Sequence, residues 1–321
     1  MILVTGGCGY IGSHLVNTLA EYGYQVVVFD NLLSGKESAL LHHEPLVVGD
    51  ITNPQDLTSV FSQYQVDTVI HLAALVNAAE SVVQSDRYQQ VNNQGSKNVW
   101  QAAMSRGVKT YLYASSAAVY GTPPTRGAIK ETSPLLPTSP YGVNKLAGER
   151  SLAAITGNGH QAGIFRFFNV AGAKTEGRLG QSKASRAIMQ RLFAVAHGEI
   201  PSLKLSGHDY DTQDGTVLRD FVHVEDVVRA MLLGVKHLQN GGVAFTLNLG
   251  GGHSTSMKEL HTIVEEVTGI TIPLTYAKRI PGDIVYSLAD IALAQTTLDW
   301  EPAYNVRQMV ADGWNAYVKR N

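Results

Sequence analysis

Gly7-x-Gly9-x-x-Gly12 follows the apolar run Ile2–Val4 after two residues and opens a helical pattern, and this context constrains the fold more than any other feature. Glycine lets backbone amides approach a diphosphate, and a helix N-terminus favours its negative charge. The next apolar run, Val26–Phe29, is followed by an acid, Asp30. Strand, glycine turn, helix, strand and acid together form the unit that binds a dinucleotide. Gly6, Gly9 and Gly12 also satisfy Gly-x-x-Gly-x-x-Gly. Without a ligand, the same residues would make only a tight strand–helix turn. Asp30 can accept from ribose hydroxyls and would repel a 2′-phosphate. No arginine follows nearby, so the expected cofactor is NAD rather than NADP.

Apolar runs and helical patterns alternate through the first part of the chain. Ile2–Val4, Val26–Phe29, Leu46–Val48, Thr68–Leu72 and Thr110–Ala114 read as strands. Ile11–Tyr22, Asp56–Tyr64 and Arg87–Met104 carry helical spacing, and Asn53 before Pro54 is an expected N-cap. This predicts an α/β fold, a doubly wound, Rossmann-like parallel sheet with a smaller α/β substrate-binding domain. Farther on, Tyr141–Thr156 is helical and ends at Gly157-Asn158-Gly159, and Gly163–Asn169 is a strand. The polar stretch Lys174–Lys183 is the expected exit from the nucleotide domain. Residues 1–172 are therefore assigned to that domain, with a return around 218–248, and residues 173–321 to the small one. Ala184–His197, His223–Leu238 and Ser256–Thr268 read as helices, and Phe245–Leu249 as a strand.

Bulk properties narrow the partners. A hydrophobic share of 44% beside 16% charged residues describes a globular chain. The formal net charge of -2 gives no electrostatic reason to expect nucleic acid or a membrane surface. The single cysteine, Cys8, excludes intrachain disulfides and fits a reducing compartment. No run approaches about 18 apolar residues, and Met1–Thr5 is too short for a secretory core, so a cytoplasmic location is expected. Apart from the adjacent His42-His43, the histidines lack metal-ligand spacing, and no metal is expected.

Tyr141 and Lys145 lie four residues apart, on one face of their helix. A phenol near pKa 10 (about) is a poor base, and a neighbouring ammonium favours the phenolate. Such a pair suits proton removal from an alcohol, although an exposed helix pair would look the same. Ser115 and Ser116 end the preceding strand, where parallel sheets bind ligands. Ser116 can bond the same sugar hydroxyl as Tyr141, or it can satisfy local backbone. Asp50-Ile51 is placed at the adenine end, with a turn role open for Asp50. Leu72-Ala73-Ala74 supplies the small side chains that a loop beneath a cofactor needs.

From Gly207 to Val224 the chain reads Gly-His-Asp-Tyr-Asp-Thr-Gln-Asp-Gly-Thr-Val-Leu-Arg-Asp-Phe-Val-His-Val. This stretch is similar to Asp-Tyr-x-Thr-x-Asp-Gly-Thr-x-x-Arg-Asp-Tyr-Ile-His-Val of the UDP-glucose 4-epimerase family. Asp30-Asn31-Leu32, Glu80-Ser81-Val82, Phe167-Phe168-Asn169, Asn248-Leu249-Gly250 and Arg279-x-x-Gly282-Asp283 add to it. Over nearly its whole length the chain resembles that branch of the extended short-chain dehydrogenase/reductases.

The resemblance implies interconversion of UDP-galactose and UDP-glucose through a transient 4-keto sugar. Tyr141 would take the 4-hydroxyl proton while a hydride passes to tightly bound NAD and returns to the other face. Lys145 would bind the nicotinamide ribose and lower the Tyr141 pKa, and Ser116 would steady the reacting oxygen. Also implied at the cofactor are Gly6, Gly9, Tyr10, Ile11 and Gly12, then Asp30, Asn31 and Ser34. Asp50, Ile51, Leu72, Ala73, Ala74, Val76, Asn92 and Phe168 complete that group. The UDP moiety falls to Asn169, Arg219, Arg279 and Asp283, a choice that suits diphosphate and ribose chemistry. Pairing of Arg219 with Asp220 or Asp226, and a structural role for His223, stay open. Helices Arg87–Met104 and Tyr141–Thr156 resemble those of an intersubunit helix bundle, implying a homodimer.

Four positions depart from the family pattern. Ser287 replaces a Tyr wall of the sugar pocket, Ala187-Ile188 an Asn-Leu pair, Val76 a Lys and Ser206 a Phe. The first two open volume for a 2-acetamido group, so UDP-N-acetylglucosamine is an expected alternative substrate. A 4,6-dehydratase would need an Asp-Glu pair after Ser116, where Ala117-Ala118 stand. A non-catalytic NAD-binding protein would not need both Tyr141 and Lys145.

Overall fold

The computed structural model describes residues 1–123, 126–157, 159–279 and 283–320. Asn158 and Gly282 lie outside the described residues. The order begins β1 (Ile2–Thr5), α1 (Tyr10–Glu21), β2 (Val26–Asp30), β3 (Leu46–Val48), α2 (Pro54–Gln63) and β4 (Thr68–His71). Helices α3 (Ala78–Val83) and α4 (Ser85–Tyr88) lead through a π-helical stretch, Gln89–Gly95, into α5 (Ser96–Ser105). Next come β5 (Thr110–Ser116), α6 (Pro140–Ala153), β6 (Gln161–Phe167), β7 (Asn169–Ala171), α7 (Ile188–Ala196) and β8 (Leu203–Ser206). Then follow β9 (Leu218–His223), α8 (Val224–Gln239), β10 (Phe245–Leu249) and β11 (Ser254–Ser256). The chain finishes with α9 (Met257–Thr268), β12 (Leu274–Ala277), α10 (Ala292–Leu298) and α11 (Val306–Lys319).

The chain divides into two units, Met1–Gly121 with Ser133–Phe167 and Val228–Leu247, and Thr122–Thr132 with Phe168–Val227 and Asn248–Asn321. A seven-stranded sheet runs in the order β10-β6-β5-β4-β1-β2-β3. β1, β2 and β4 are buried along their whole length, which is why they read as unbroken apolar runs. The pairs β1–β2, β1–β4, β2–β3, β4–β5 and β5–β6 are all parallel, giving the doubly wound sheet expected. Strand order reverses between β1 and β4, and ligands bind outside the carboxyl ends at such a switch point. Leu3, Val27, Phe29, Val69, Trp100 and Tyr111 belong to one core of this unit. Each large apolar side chain buried there contributes about 1.5–3 kcal/mol.

Asn53 caps α2 as expected, accepting from the Gln55 amide. Two sequence expectations need correction. The pattern Arg87–Met104 is not one helix: α4, the π-helical stretch and α5 share it, because a π turn preserves helical spacing only approximately. The run Gly163–Asn169 is two strands, β6 and β7, which lie in different sheets. Apolar content continues through the break, so periodicity could not locate it.

In the second unit β11-β9-β7 form one small sheet and β12-β8 another. β9 pairs parallel with β7 and antiparallel with β11. The core gathers Leu192, Phe193, Phe221, Leu260, Met309 and Tyr317. α9 starts in a capping box between Ser256 and Glu259, and α11 in one between Asn305 and Gln308. The expected helix from Ala184 starts only at Ile188, with Ala187 as its N-cap. Among the described residues no helix is long and apolar enough to cross a membrane. Nor do three or more His, Cys, Asp or Glu side chains among them gather as a metal site.

Candidate active site

At the switch point the turn after β1 meets the turn after β4. Gly6 has φ +72°, and a β-carbon there would lie 2.6 Å from the Ala73 amide nitrogen. A β-carbon on Gly12 would run into the Gly6 carbonyl oxygen, so the first turn of α1 can pack only as glycine. Gly9 caps α1 without a side-chain hydrogen bond. Tyr10 and Ile11 follow it as the first helical residues. A helix end of this kind suits an anion.

Asp30 is 7% exposed at the end of β2. Its carboxylate accepts from the Cys8 amide at 3.0 Å and the Leu32 amide at 2.8 Å. Asn31 donates to Asp50 at 2.9 Å. Burial works against ionised Asp50, but bonds from Thr52 and Asn31 outweigh it and hold its carboxyl below the ordinary value. Asp50 therefore combines the turn role and a place beside Asn31. Ser34 is exposed in the same loop.

Three of the expected cofactor residues have other occupations. Ile51 is a core side chain at 5% exposure. Asn92, buried, spends its amide on the Leu75 backbone, accepting from the nitrogen and donating to the oxygen at 2.8 Å each. It thus shapes the Leu72-Ala73-Ala74-Leu75 loop rather than presenting its amide outward. Phe168 belongs to the second unit, is buried, and bonds the Leu249 carbonyl through its amide. Val76 is 72% exposed.

α6 begins at Pro140 with Ser139 as N-cap, so Tyr141 falls in the first turn. The Tyr141 amide donates to Ser81 at 3.1 Å, which ties that turn to α3. Ser116, at the end of β5, acts on the Tyr141 phenol against the effect of burial. Ser116 accepts from the Ala118 amide at 3.2 Å, the local-backbone role left open for this serine. Lys145 is buried, donates to the Ala114 carbonyl at 2.7 Å, and lies 5.0 Å from the Tyr113 ring centroid.

Burial raises the Tyr141 phenol above its ordinary value, and Ser116 pulls the other way. Burial draws Lys145 down to about 7, opposed by the charge of Glu149. The expected depression of Tyr141 by Lys145 is thus not what the structure shows: burial raises the phenol, and it is Ser116 that opposes. Behind Lys145 sits His71, overlooked in the sequence for want of a recognisable spacing. It is buried between Thr5 at 2.6 Å and Ser96 at 3.0 Å, and burial followed by the Lys145 charge brings it down to about 3.

In the second unit Arg219 pairs with Asp283 at 2.9 Å, rather than with Asp220 or Asp226, and donates to the Ile284 carbonyl at 2.6 Å. Arg279 pairs with Asp209 at 2.8 Å and lies over the Tyr210 ring at 4.6 Å. Tyr210 in turn donates to Asp283 at 3.4 Å. Arg219, Arg279 and Asp283 therefore form one chain of contacts through Tyr210. Tyr210 was missed as a site residue although it lies inside the quoted motif. Asn169 donates to the Asp220 carbonyl at 3.0 Å. Asp220 is buried and accepts from the Ala289 and Gly252 amides at 2.9 and 3.2 Å, which fixes the segment after Ser287. Ser287 is partly buried, as are Ala187 and Ile188 at the start of α7. Ser206 ends β8 opposite Ala277. His223 is structural: it closes β9, accepts from the Glu225 amide at 3.0 Å and stacks on Tyr304.

A family model for NAD dependent epimerases/dehydratases matches residues 2–250. The chain belongs to this family. A UDP-glucose 4-epimerase of Halalkalibacterium halodurans is 39% identical, over 98% of this chain and 94% of its own. A crystal structure of a UDP-glucose 4-epimerase superposes with a TM-score of 0.96 at 37% identity, covering 99% of this chain and 98% of that one. Another, from Stenotrophomonas maltophila, has a TM-score of 0.94 at 33% identity, covers 99% and 98%, and carries NAD and formylated UDP-arabinopyranose. Membership in the epimerase/dehydratase family gives the turn after Ser116 its weight. That turn runs Ala117–Val119 and holds no carboxylate of the kind water elimination needs.

Proposed function

We propose that the chain interconverts UDP-galactose and UDP-glucose with bound NAD, with Tyr141 as the proton-transferring residue. The observation that carries this reading is Tyr141 one turn before buried Lys145 on α6, with Ser116 and an acid-free turn at the end of β5. The full-length likeness to proteins named UDP-glucose 4-epimerase supports it, at 37–39% identity against 30% for a neighbour named a UDP-Glc/GlcNAc 4-epimerase. We assign NAD to residues 1–172 with the return at 218–248, and the UDP moiety to residues 173–321.

The residues present fit NAD. The glycine turn leaves room at Gly9, whose added β-carbon would meet only the Gly6 oxygen, at 3.2 Å. Each Asp30 oxygen keeps a lone pair for a ribose hydroxyl beyond its bond to backbone. When bound, NAD supplies the carbon that accepts and returns the hydride. Tyr141 Oη takes the 4-hydroxyl proton and later gives it back to the same oxygen. Ser116, whose oxygen accepts from the Ala118 amide, can donate its hydroxyl proton to the sugar oxygen and steady it. A charge on Lys145 would favour the phenolate form of Tyr141 whenever the proton resides on the sugar oxygen. Arg219 and Arg279 exchange carboxylate partners for diphosphate oxygens, and Asp283, released, can accept from ribose hydroxyls. Incubation with UDP-galactose and no added NAD is expected to yield UDP-glucose. NADH accumulating only with supplied NAD, and no interconversion, would reject the reading.

A homodimer through α5 and α6 is part of this proposal. Leu136 and Val143 are 64% and 51% exposed, beside a groove of about 660 Å³ that Leu146, Lys97 and Arg150 also line. Burying two such apolar side chains is favourable. Val143→Asp is expected to halve the sedimenting mass; a monomeric parent protein would refute the dimer.

A further inference from the structure

Two charges buried in the first unit take no part in the chemistry above. Glu149, one turn beyond Lys145 on α6, and Arg166, on β6, are each 5% exposed. Arg166 holds both carboxylate oxygens, Nη2 to Oε2 at 2.6 Å and Nε to Oε1 at 2.9 Å. Ser115 donates to the same carboxylate, and Arg166 Nη1 donates to Tyr120 Oη at 3.0 Å. Ser115 lies opposite Arg166 in the β5–β6 register. Apolar residues of similar volume often stabilise as well as a buried ion pair does, so stability alone is a weak reason for one here. What the network touches is a stronger reason. Ser115 and Tyr120 bracket Ser116–Val119, the turn against which the start of α6 packs, with Gly142 on the Ala118 carbonyl. Glu149 shares a helix face with Lys145 and Tyr141 at successive spacings of four.

We propose that the Glu149–Arg166 pair positions the Tyr141–Lys145–Ser116 group, fixing α6 on the carboxyl ends of β5 and β6 and holding the charge of Lys145. The inference rests on the reading of that group as the proton-transferring site. The groups around Lys145 are Tyr141 and Glu149 on its own helix, Tyr113 on β5 and His71 on β4. Tyr88 of α4 faces Tyr141 and bonds Glu80. Burial keeps the Tyr113 and Tyr88 phenols protonated and His71 neutral, so Glu149 is the carboxylate that offsets the burial of Lys145.

Glu149→Gln keeps the shape and removes the charge. Its kcat is expected to fall by about tenfold or more, with KM for UDP-galactose within about twofold. The Lys145 midpoint, followed by its ¹³Cε resonance, is expected to drop by about one pH unit. Glu149→Leu/Arg166→Met removes both charges with apolar packing kept, and is expected to show the same two losses. Either variant, folded and with wild-type kcat and midpoint, would overturn the proposal. An inactive parent protein whose Lys145 midpoint still falls in Glu149→Gln would remove the epimerase reading and leave the hold of Glu149 on Lys145 standing.

Discussion

Tyr141→Phe is expected to lower kcat for UDP-galactose conversion about a thousandfold while leaving KM within a few-fold. General acid–base groups contribute typically about 10²–10⁴ to rate, and Tyr141 is the phenol placed one turn before buried Lys145 on α6. The substitution removes one oxygen and little else. The Tyr141 amide keeps its bond to Ser81, the Ser139 cap of α6 is untouched, and Ser116 still accepts from Ala118. Burial around the ring favours Phe, so the melting temperature should not fall. A group acting only in the transition state lowers kcat and kcat/KM together. Steady-state kinetics at saturating UDP-galactose check this. Retention of more than about a tenth of kcat would take the proton-transfer role away from Tyr141.

How much of this was legible in the sequence depended on the range of each interaction. The β1–α1–β2 unit and Asp30 were legible because each part is local and carries its own chemistry. Phe245–Leu249 and the Asn53 cap were legible for the same reason. β9 was not, since its residues Leu218–His223 were read as a ligand motif and they alternate poorly. α10 and α11 were also missed, and the apolar residues of α11 face a core whose other walls lie far away in the chain. Within the site, residue types pointed to Tyr141, Lys145, Ser116, Arg219 and Asp283. Their partners did not follow from type. That Asn92 serves Leu75, that Arg219 meets Asp283, and that Glu149 meets Arg166 are consequences of packing between segments 17 or more residues apart.

His71 and His223 should make the protein lose stability in mild acid, each within its own unit. Both are fully buried, and burial brings them down to about 3 and about 4. Their folded values lie below the unfolded value of about 6.5. Their stabilising contribution is therefore complete above that value and lost progressively as pH falls toward the folded values. Between pH 7 and pH 5 the loss is about 2 kcal/mol for each histidine. Asp220 acts in the opposite sense. Burial raises it to about 6, against bonds from Ala289, Gly251 and Gly252. It binds a proton in the folded state before the unfolded chain does, which returns about 1 kcal/mol over the same interval. In the second unit Asp220 and the Asp312 carboxylate beside His223 offset the histidine effect, which stands without such an offset in the first. Urea unfolding followed by near-ultraviolet circular dichroism is expected to give a clearly lower midpoint at pH 5 than at pH 7. The carboxylates held below their ordinary values, such as Asp50 and Asp214, titrate at still lower pH and do not enter this window. Equal midpoints at the two pH values would mean that both histidines reach solvent or a charged partner on protonation. The packing of His71 between Thr5 and Ser96 argues that it does not do so while its unit stays folded. His223 Nε2 already lies 3.4 Å from the Asp312 carboxylate, so the loss rests chiefly on His71.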